Sequence, residues 1–144
     1  MFYLIDEKRF CHKKPEEKHI AIISVEEAIN CDFVQKYMTK VPGLFLELHF
    51  SKLDIFSDFF YGFINIPEIL IGSNAMLTFI CDSWNLIFID RNNFAAECFE
   101  NTLKLYGDNM HSCESVLYYM LGNIIFGDLE KMNAIQQNLA NLEQ

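Results

Sequence analysis

Apolar and polar positions change period several times along this chain, and each change marks an element. Met1–Asp6 ("MFYLID") opens as a strand, and the charged, proline-containing stretch Cys11–Lys18 reads as a loop. His19–Ser24 ("HIAIIS") is short, apolar and β-branched, the pattern of a buried strand. From Ser24 to Met38 the period becomes helical: Val25, Ala28, Ile29, Phe33 and Val34 share a face. Ser24 is placed to cap that helix, and Glu26 and Glu27 lie in its first turn, where the helix dipole favours acids. Pro42-Gly43 breaks the pattern. Leu44–Phe50 ("LFLELHF") alternates with period two and predicts a strand. Phe59–Ile66 predicts another, ended by Pro67, and Ala75–Asp90 reads as a hairpin around "SWN". Asn92–Gly107 returns to helical spacing, with Gly107 as a stop. Together these elements predict an α/β (α+β) fold, a mixed sheet of about four to six strands flanked by helices.

The last segment is the most regular. Ser112 is a good cap with Glu114 just inside it, and apolar residues then recur at Leu121, Ile125, Met132, Ile135, Leu139 and Leu142. With Asp128 filling one seam position, the steps alternate four and three, a heptad seam. Such a stripe needs cover, so Ile125, Met132, Ile135, Leu139 and Leu142 are the expected interface residues, against another subunit or further chain. No glycine, proline or basic last turn closes this helix. The expectation is therefore a sheet domain over residues 1–111 and, over 112–144, the truncated start of a helical stalk belonging to a longer protein.

Composition narrows the function. With 144 residues, 51% hydrophobic and 15% aromatic, the chain can bury one core. A net charge of -9 disfavours nucleic acid as a partner. Five cysteines at 11, 31, 81, 98 and 113, without a C-x-x-C pair, read as reduced thiols and mostly as small buried hydrophobes. The most apolar run, Leu53–Ile71, contains three acids and a proline and belongs to a soluble core rather than a membrane span.

Candidate chemistry is sparse. No nucleophile elbow, P-loop, dinucleotide fingerprint or zinc-protease motif occurs, so catalysis is not expected. Cys11-His12 and His111-Ser112-Cys113 hold soft ligands, but nothing in the sequence brings the two pairs together, and His12 and His111 read as solvent-facing loop residues. Glu16-Glu17, Glu26-Glu27 and Asp54/Asp58 carry hard oxygen ligands that more often serve as solvated ends and turns. Asp82 and Asp90 bracket the hairpin as turn formers. Trp84 in its turn is either an exposed contact residue or a cover over the sheet.

Three stretches, in order, carry a resemblance. "KLDIFSDFFYGFINIPE" from Lys52, "MLTFICDSWNLIFID" from Met76 and "SVLYYMLGNIIFGDLEKMNAIQQNLANLE" from Ser115 resemble successive motifs of the CorA-like divalent-metal transporters. The resemblance covers about Lys52 to Gln144 and rests on order and spacing. It implies a cytosolic regulatory and assembly domain of a magnesium transporter at the cytoplasmic face of the cell membrane. It further implies a pentameric homo-oligomer whose transmembrane pore lies outside this sequence. It also implies magnesium at contacts between subunits. Where the family carries spaced acids after the start of its long helix, this chain has Gly122 and Phe126, and the nearest acid is Asp128. Asp128 is thus the single candidate metal ligand, and no tightly bound divalent ion is expected in this chain alone. The competing expectation is a stand-alone soluble α/β protein that self-associates through its C-terminal helix.

Overall fold

The computed structural model describes residues 1–67 and 74–143, without the side chains of 67, 74, 126–132, 135 and 143. Seven strands form one mixed sheet: β1 (Phe2–Leu4), β2 (Arg9–Cys11), β3 (His19–Ser24), β4 (Lys52–Ile55), β5 (Phe60–Pro67), β6 (Asn74–Cys81) and β7 (Asn85–Asp90). Their order across the sheet is β2-β1-β3-β7-β6-β5-β4. β3 and β7 run parallel, from His19 opposite Asn85 to Ser24 opposite Asp90. The remaining neighbours are antiparallel. The described residues also form four α-helices: α1 (Val25–Ile29), α2 (Asp32–Met38), α3 (Phe94–Tyr106) and α4 (Cys113–Glu143).

The alternation of side chains along a strand explains the layers. Ile20 and Ile22 of β3, Phe79 of β6 and Leu86 and Phe88 of β7 point to one face, where Ala95 and Phe99 of α3 and Cys113, Val116 and Met120 of α4 cover them. Ala21, Ile23, Ile80, Ile87 and Ile89 point to the other, under Ala28 of α1 and Val34 and Tyr37 of α2. Central strands buried on both faces cannot alternate in polarity, which is why "HIAIIS" is a continuous apolar run. The expected α/β fold with helices flanking a mixed sheet is thus present.

Several local expectations need correction. The sheet has seven strands because Arg9–Cys11 and Lys52–Ile55 add its two edges. Leu44–Phe50 is not a strand. Its backbone is claimed by turns and side chains: Leu46 N–H donates to the Gly43 carbonyl, Arg91 Nη2 to the Phe45 carbonyl at 3.1 Å, and Asn65 Nδ2 to the Leu48 carbonyl at 2.9 Å. The place beside β5 goes to Lys52–Ile55 instead, which a tight hairpin brings there with little loop entropy. The expected helix from Ser24 to Met38 is two helices, because Asn30 donates from Nδ2 to the Glu26 carbonyl and ends α1, and Cys31 in an extended conformation starts α2. Gly107 does end α3, as its C-cap, but in a right-handed rather than a left-handed conformation, leading into a short 3-10 turn, Gly107–Asn109.

Two caps match their sequence signatures. Ser24 Oγ accepts from Glu27 N–H at 3.1 Å, with the Glu27 carboxylate 3.3 Å from that same hydroxyl. Ser112 Oγ accepts from Ser115 N–H at 3.0 Å at the head of α4. Gly62 is required by contact: a Cβ there would sit 2.1 Å from Phe79 Cζ, because the Phe79 ring lies across the neighbouring strand at that point.

Candidate interaction face

Among the described side chains of α4, those in the core belong to its first turns: Cys113, Val116, Leu117 and Met120 are buried, and Leu121 and Ile124 pack at its margin. The helix has 31 residues. At 1.5 Å per residue that is about 46 Å, far longer than the sheet it leaves. Beyond the margin the expected interface positions are wet. Ile125 is 60% exposed, Leu139 56% and Leu142 83%. The side chains of Met132 and Ile135, the other two interface positions, and of Asp128, the candidate metal ligand, lie outside the described residues.

The structure adds a residue the sequence reading missed. Tyr118 is 72% exposed and stands seven residues before Ile125. Seven residues bring a helix back to nearly the same direction, so Tyr118, Ile125 and Leu139 form one stripe. Its signal, an aromatic continuing the heptad, was present in "SVLYYML" but hidden among apolar neighbours that turn inward. Tyr106 stacks on Tyr119 with centroids 4.8 Å apart, and Tyr118 meets Tyr119 edge-on at 5.3 Å. These rings, with Gly122, Asn123 and Ile125, line an open hollow of about 460 Å3. An added Cβ at Gly122 would meet nothing within 4 Å, so the missing side chain leaves a notch in the helix surface. An apolar stripe beside an aromatic-lined notch can receive another helix by knobs-into-holes packing. Burial of each large aliphatic side chain contributes roughly 1.5–3 kcal/mol to such contact.

The other candidate groups do not gather into a site among the described residues. Cys11 packs against one face of the sheet and Cys113 is buried in the other, so the two Cys/His pairs do not converge. His12 and His111 are exposed. Among the described residues, no group of three or more His, Cys, Asp or Glu is placed to hold a metal ion. Asp54 pairs with Lys52 at 2.9 Å and Asp58 with Lys40 at 3.4 Å. Asp82 forms its turn by accepting the Trp84 amide at 2.7 Å and takes the Tyr37 hydroxyl at 2.9 Å, and burial together with that acid raises the Tyr37 pKa. Asp90 does more than form a turn: its carboxylate accepts the Ala95 amide at 2.8 Å and caps α3. Trp84 is half exposed and donates from Nε1 to the Glu16 carbonyl at 3.0 Å, which ties its turn to the loop before β3. Arg91, which the sequence reading passed over, reaches from the end of β7 to Thr78 Oγ1 and the Phe45 carbonyl and pins the 45–50 loop.

An open polar crevice of about 440 Å3 lies at the carboxyl ends of β3 and β7, lined by Ser24, Glu27, Asp90, Asn92 and Glu100 among others. The chain leaves those two parallel strands toward opposite faces, the arrangement that opens a crevice in α/β sheets. Asp90 and Glu27 there are already engaged in helix caps.

Fold and exposed face together define a three-layer α/β/α domain that launches a long helix with an uncovered apolar stripe. Among solved structures, the chain is similar to the full-length CmaX protein, with a TM-score of 0.64 and 16% sequence identity over 93% of this chain and 44% of that one. The chain therefore spans less than half the length of that protein, and at this identity the likeness is one of fold. No family model matches the chain, and no curated protein matches it. No helix among the described residues is long and apolar enough to cross a membrane.

Proposed function

We propose that this chain is the cytosolic regulatory and assembly domain of a CorA-like divalent-cation transporter, with Mg2+ as the transported ion. The observation that carries the reading is α4: a helix of 31 residues whose Tyr118, Ile125 and Leu139 stripe leaves the sheet domain uncovered. The ordered motifs from Lys52 onward support it, as does a fold likeness that accounts for nearly all of this chain and under half of the full-length CmaX protein. In this reading the role is one of assembly and gating rather than catalysis. The chain sits at the cytoplasmic face of the membrane and joins further copies of itself along α4, as a pentamer by the family resemblance. It meets the membrane only through segments outside this sequence. Magnesium keeps most of its waters and binds through one or two carboxylates, so a regulatory ion would be held where subunits converge, with Asp128 as the candidate ligand.

The test uses the complete gene. Its product, expressed in cells that lack magnesium uptake, should restore growth at low magnesium, and deleting two apolar segments of about 20 residues downstream of α4 should abolish that rescue. A reading frame without two such segments refutes the transporter reading. It leaves the soluble protein self-associating through α4 as the function the geometry supports.

A further inference from the structure

The edge strand β4 leaves one side of its backbone open among the described residues. The strand alternates Lys52, Leu53, Asp54, Ile55, and among the described residues its neighbour in the sheet is β5 alone. Two hydrogen bonds fix which backbone groups are left over. Phe56 N–H donates to the Phe59 carbonyl at 2.9 Å across the hairpin turn, and Asn65 N–H reaches Ser51 Oγ at 3.0 Å at the other end. On β5, therefore, residues 61, 63 and 65 turn their amides toward β4, as the Phe59 carbonyl just before the strand also does. Their partners Asp54 (opposite Tyr61) and Lys52 (opposite Phe63) face inward. The N–H and C=O groups of Leu53 and Ile55 consequently face away from the sheet, since they alternate along a strand. The side chains of these same residues are uncovered: Leu53 is 57% exposed and Ile55 79%.

We propose that two copies of this chain associate through β4, antiparallel, about a two-fold axis at Leu53. Other antiparallel registers also join outward amides, among them one with the axis at Asp54, but that one sets the two aspartates opposite each other. With the axis at Leu53, Leu53 exchanges both backbone hydrogen bonds with Leu53 of the second copy and every charge meets its opposite. This register places Lys52 opposite Asp54 of the second copy and Asp54 opposite its Lys52, in the closely spaced non-hydrogen-bonded positions where cross-strand charge pairs act most directly. Lys52 and Asp54 already lie 2.9 Å apart within one strand, so the four charges form an alternating square at the joint. On the other face, the exposed Leu53 side chains meet each other and Ile55 packs beside them. The opposite edge of the sheet offers no such match: β2 is Arg9-Phe10-Cys11, with a cation and no acid to answer it. Charged edge strands usually prevent association. Here the alternation of one lysine and one aspartate makes the edge self-complementary. A two-fold contact has no place inside a five-membered ring of identical subunits, so this surface joins chains of separate assemblies and is independent of the stripe on α4.

The test separates the edge from the stripe. In a background carrying Ile125→Asp and Leu139→Asp, the chain should still dimerise in sedimentation equilibrium. Adding Lys52→Asp gives one chain two acids on this edge, and adding Asp54→Lys gives the other two cations. Each alone should weaken the dimer at least about tenfold, because two attractive cross-strand pairs become repulsive. An equimolar mixture of the two should recover a one-to-one heterodimer, since every cross-strand pair is again opposite in charge. Circular dichroism and thermal melts matching the background protein confirm that the variants fold. A monomeric background protein overturns the proposal. So does either charge variant dimerising as the background does, or a mixture of folded variants that stays monomeric.

Discussion

Gly62 is the position where the sheet has least room. It lies in β5 directly across from Phe79 of β6 and, on its other side, from Leu53 of β4. In Gly62→Ala the new methyl would approach Phe79 Cζ, Cε1 and Cε2 at 2.1, 2.6 and 2.7 Å. Carbon atoms pack at about 3.5–4.0 Å, so the ring must retreat by more than an ångström. Phe79 is 3% exposed and touches Phe60 edge-on at 6.3 Å between centroids, so its retreat compresses the core under α3 and α4. Overpacking of this kind costs about 1–3 kcal/mol. Against it stands a gain of about 0.5–1 kcal/mol from replacing a strand glycine. The net expectation is a loss of about 1–2 kcal/mol, or a fall in Tm of about 2–4 °C per kcal/mol for a chain of this size. Urea unfolding followed by circular dichroism measures it, and a second variant locates the cause. Phe79→Leu removes the ring atoms in conflict, so Gly62→Ala should cost less in that background, with a coupling of about 1 kcal/mol. Gly62→Ala as stable as the parent, or equally costly with and without Phe79→Leu, would refute the reasoning.

Three further outcomes are expected. His19 is buried at the start of β3, its Nδ1 2.8 Å from the Glu17 carbonyl, and burial lowers its pKa below the ordinary histidine value. Its contribution is complete above the unfolded value of about 6.5 and is lost as pH falls below it toward the lower folded value. The unfolding free energy should therefore fall less steeply below pH ~6.5 in His19→Gln; equal slopes in variant and parent would count against this origin. Tyr118→Glu and Ile125→Asp, both at exposed positions, should change stability by no more than about 0.5 kcal/mol while weakening self-association along α4 in sedimentation; a large loss of stability without any change in association would show that the stripe is internal packing. Burial raises the Cys98 thiol to about 11 and the Cys113 thiol to about 12. Alkylation of the native chain at pH ~8 should accordingly leave both cysteines unmodified long after unfolded chain has reacted, as mass spectrometry of the digested protein would show.

How much was legible in the sequence follows from what is local. The run "HIAIIS", the hairpin from Met76, the Ser24 cap and the Ser112 cap are written in neighbouring residues, and each stands where its pattern put it. Ile125, Leu139 and Leu142 were likewise read within one helix, and the structure leaves all three exposed. Pairing is not local. Leu44–Phe50 alternates as well as any strand here, yet the ladder beside β5 went to Lys52–Ile55, and Arg91, 46 residues further along the chain, holds Phe45 in a loop. No periodicity could announce that β3 and β7 lie side by side, that Phe79 demands glycine at 62, or that Tyr118 joins the stripe while Leu117 turns inward. The charge alternation of β4 was equally invisible as a surface until the sheet left that strand at its edge. Sequence period determines which face of an element is apolar; the tertiary structure decides which faces and edges find a partner within the chain and which remain open, because that depends on what every other element has already covered.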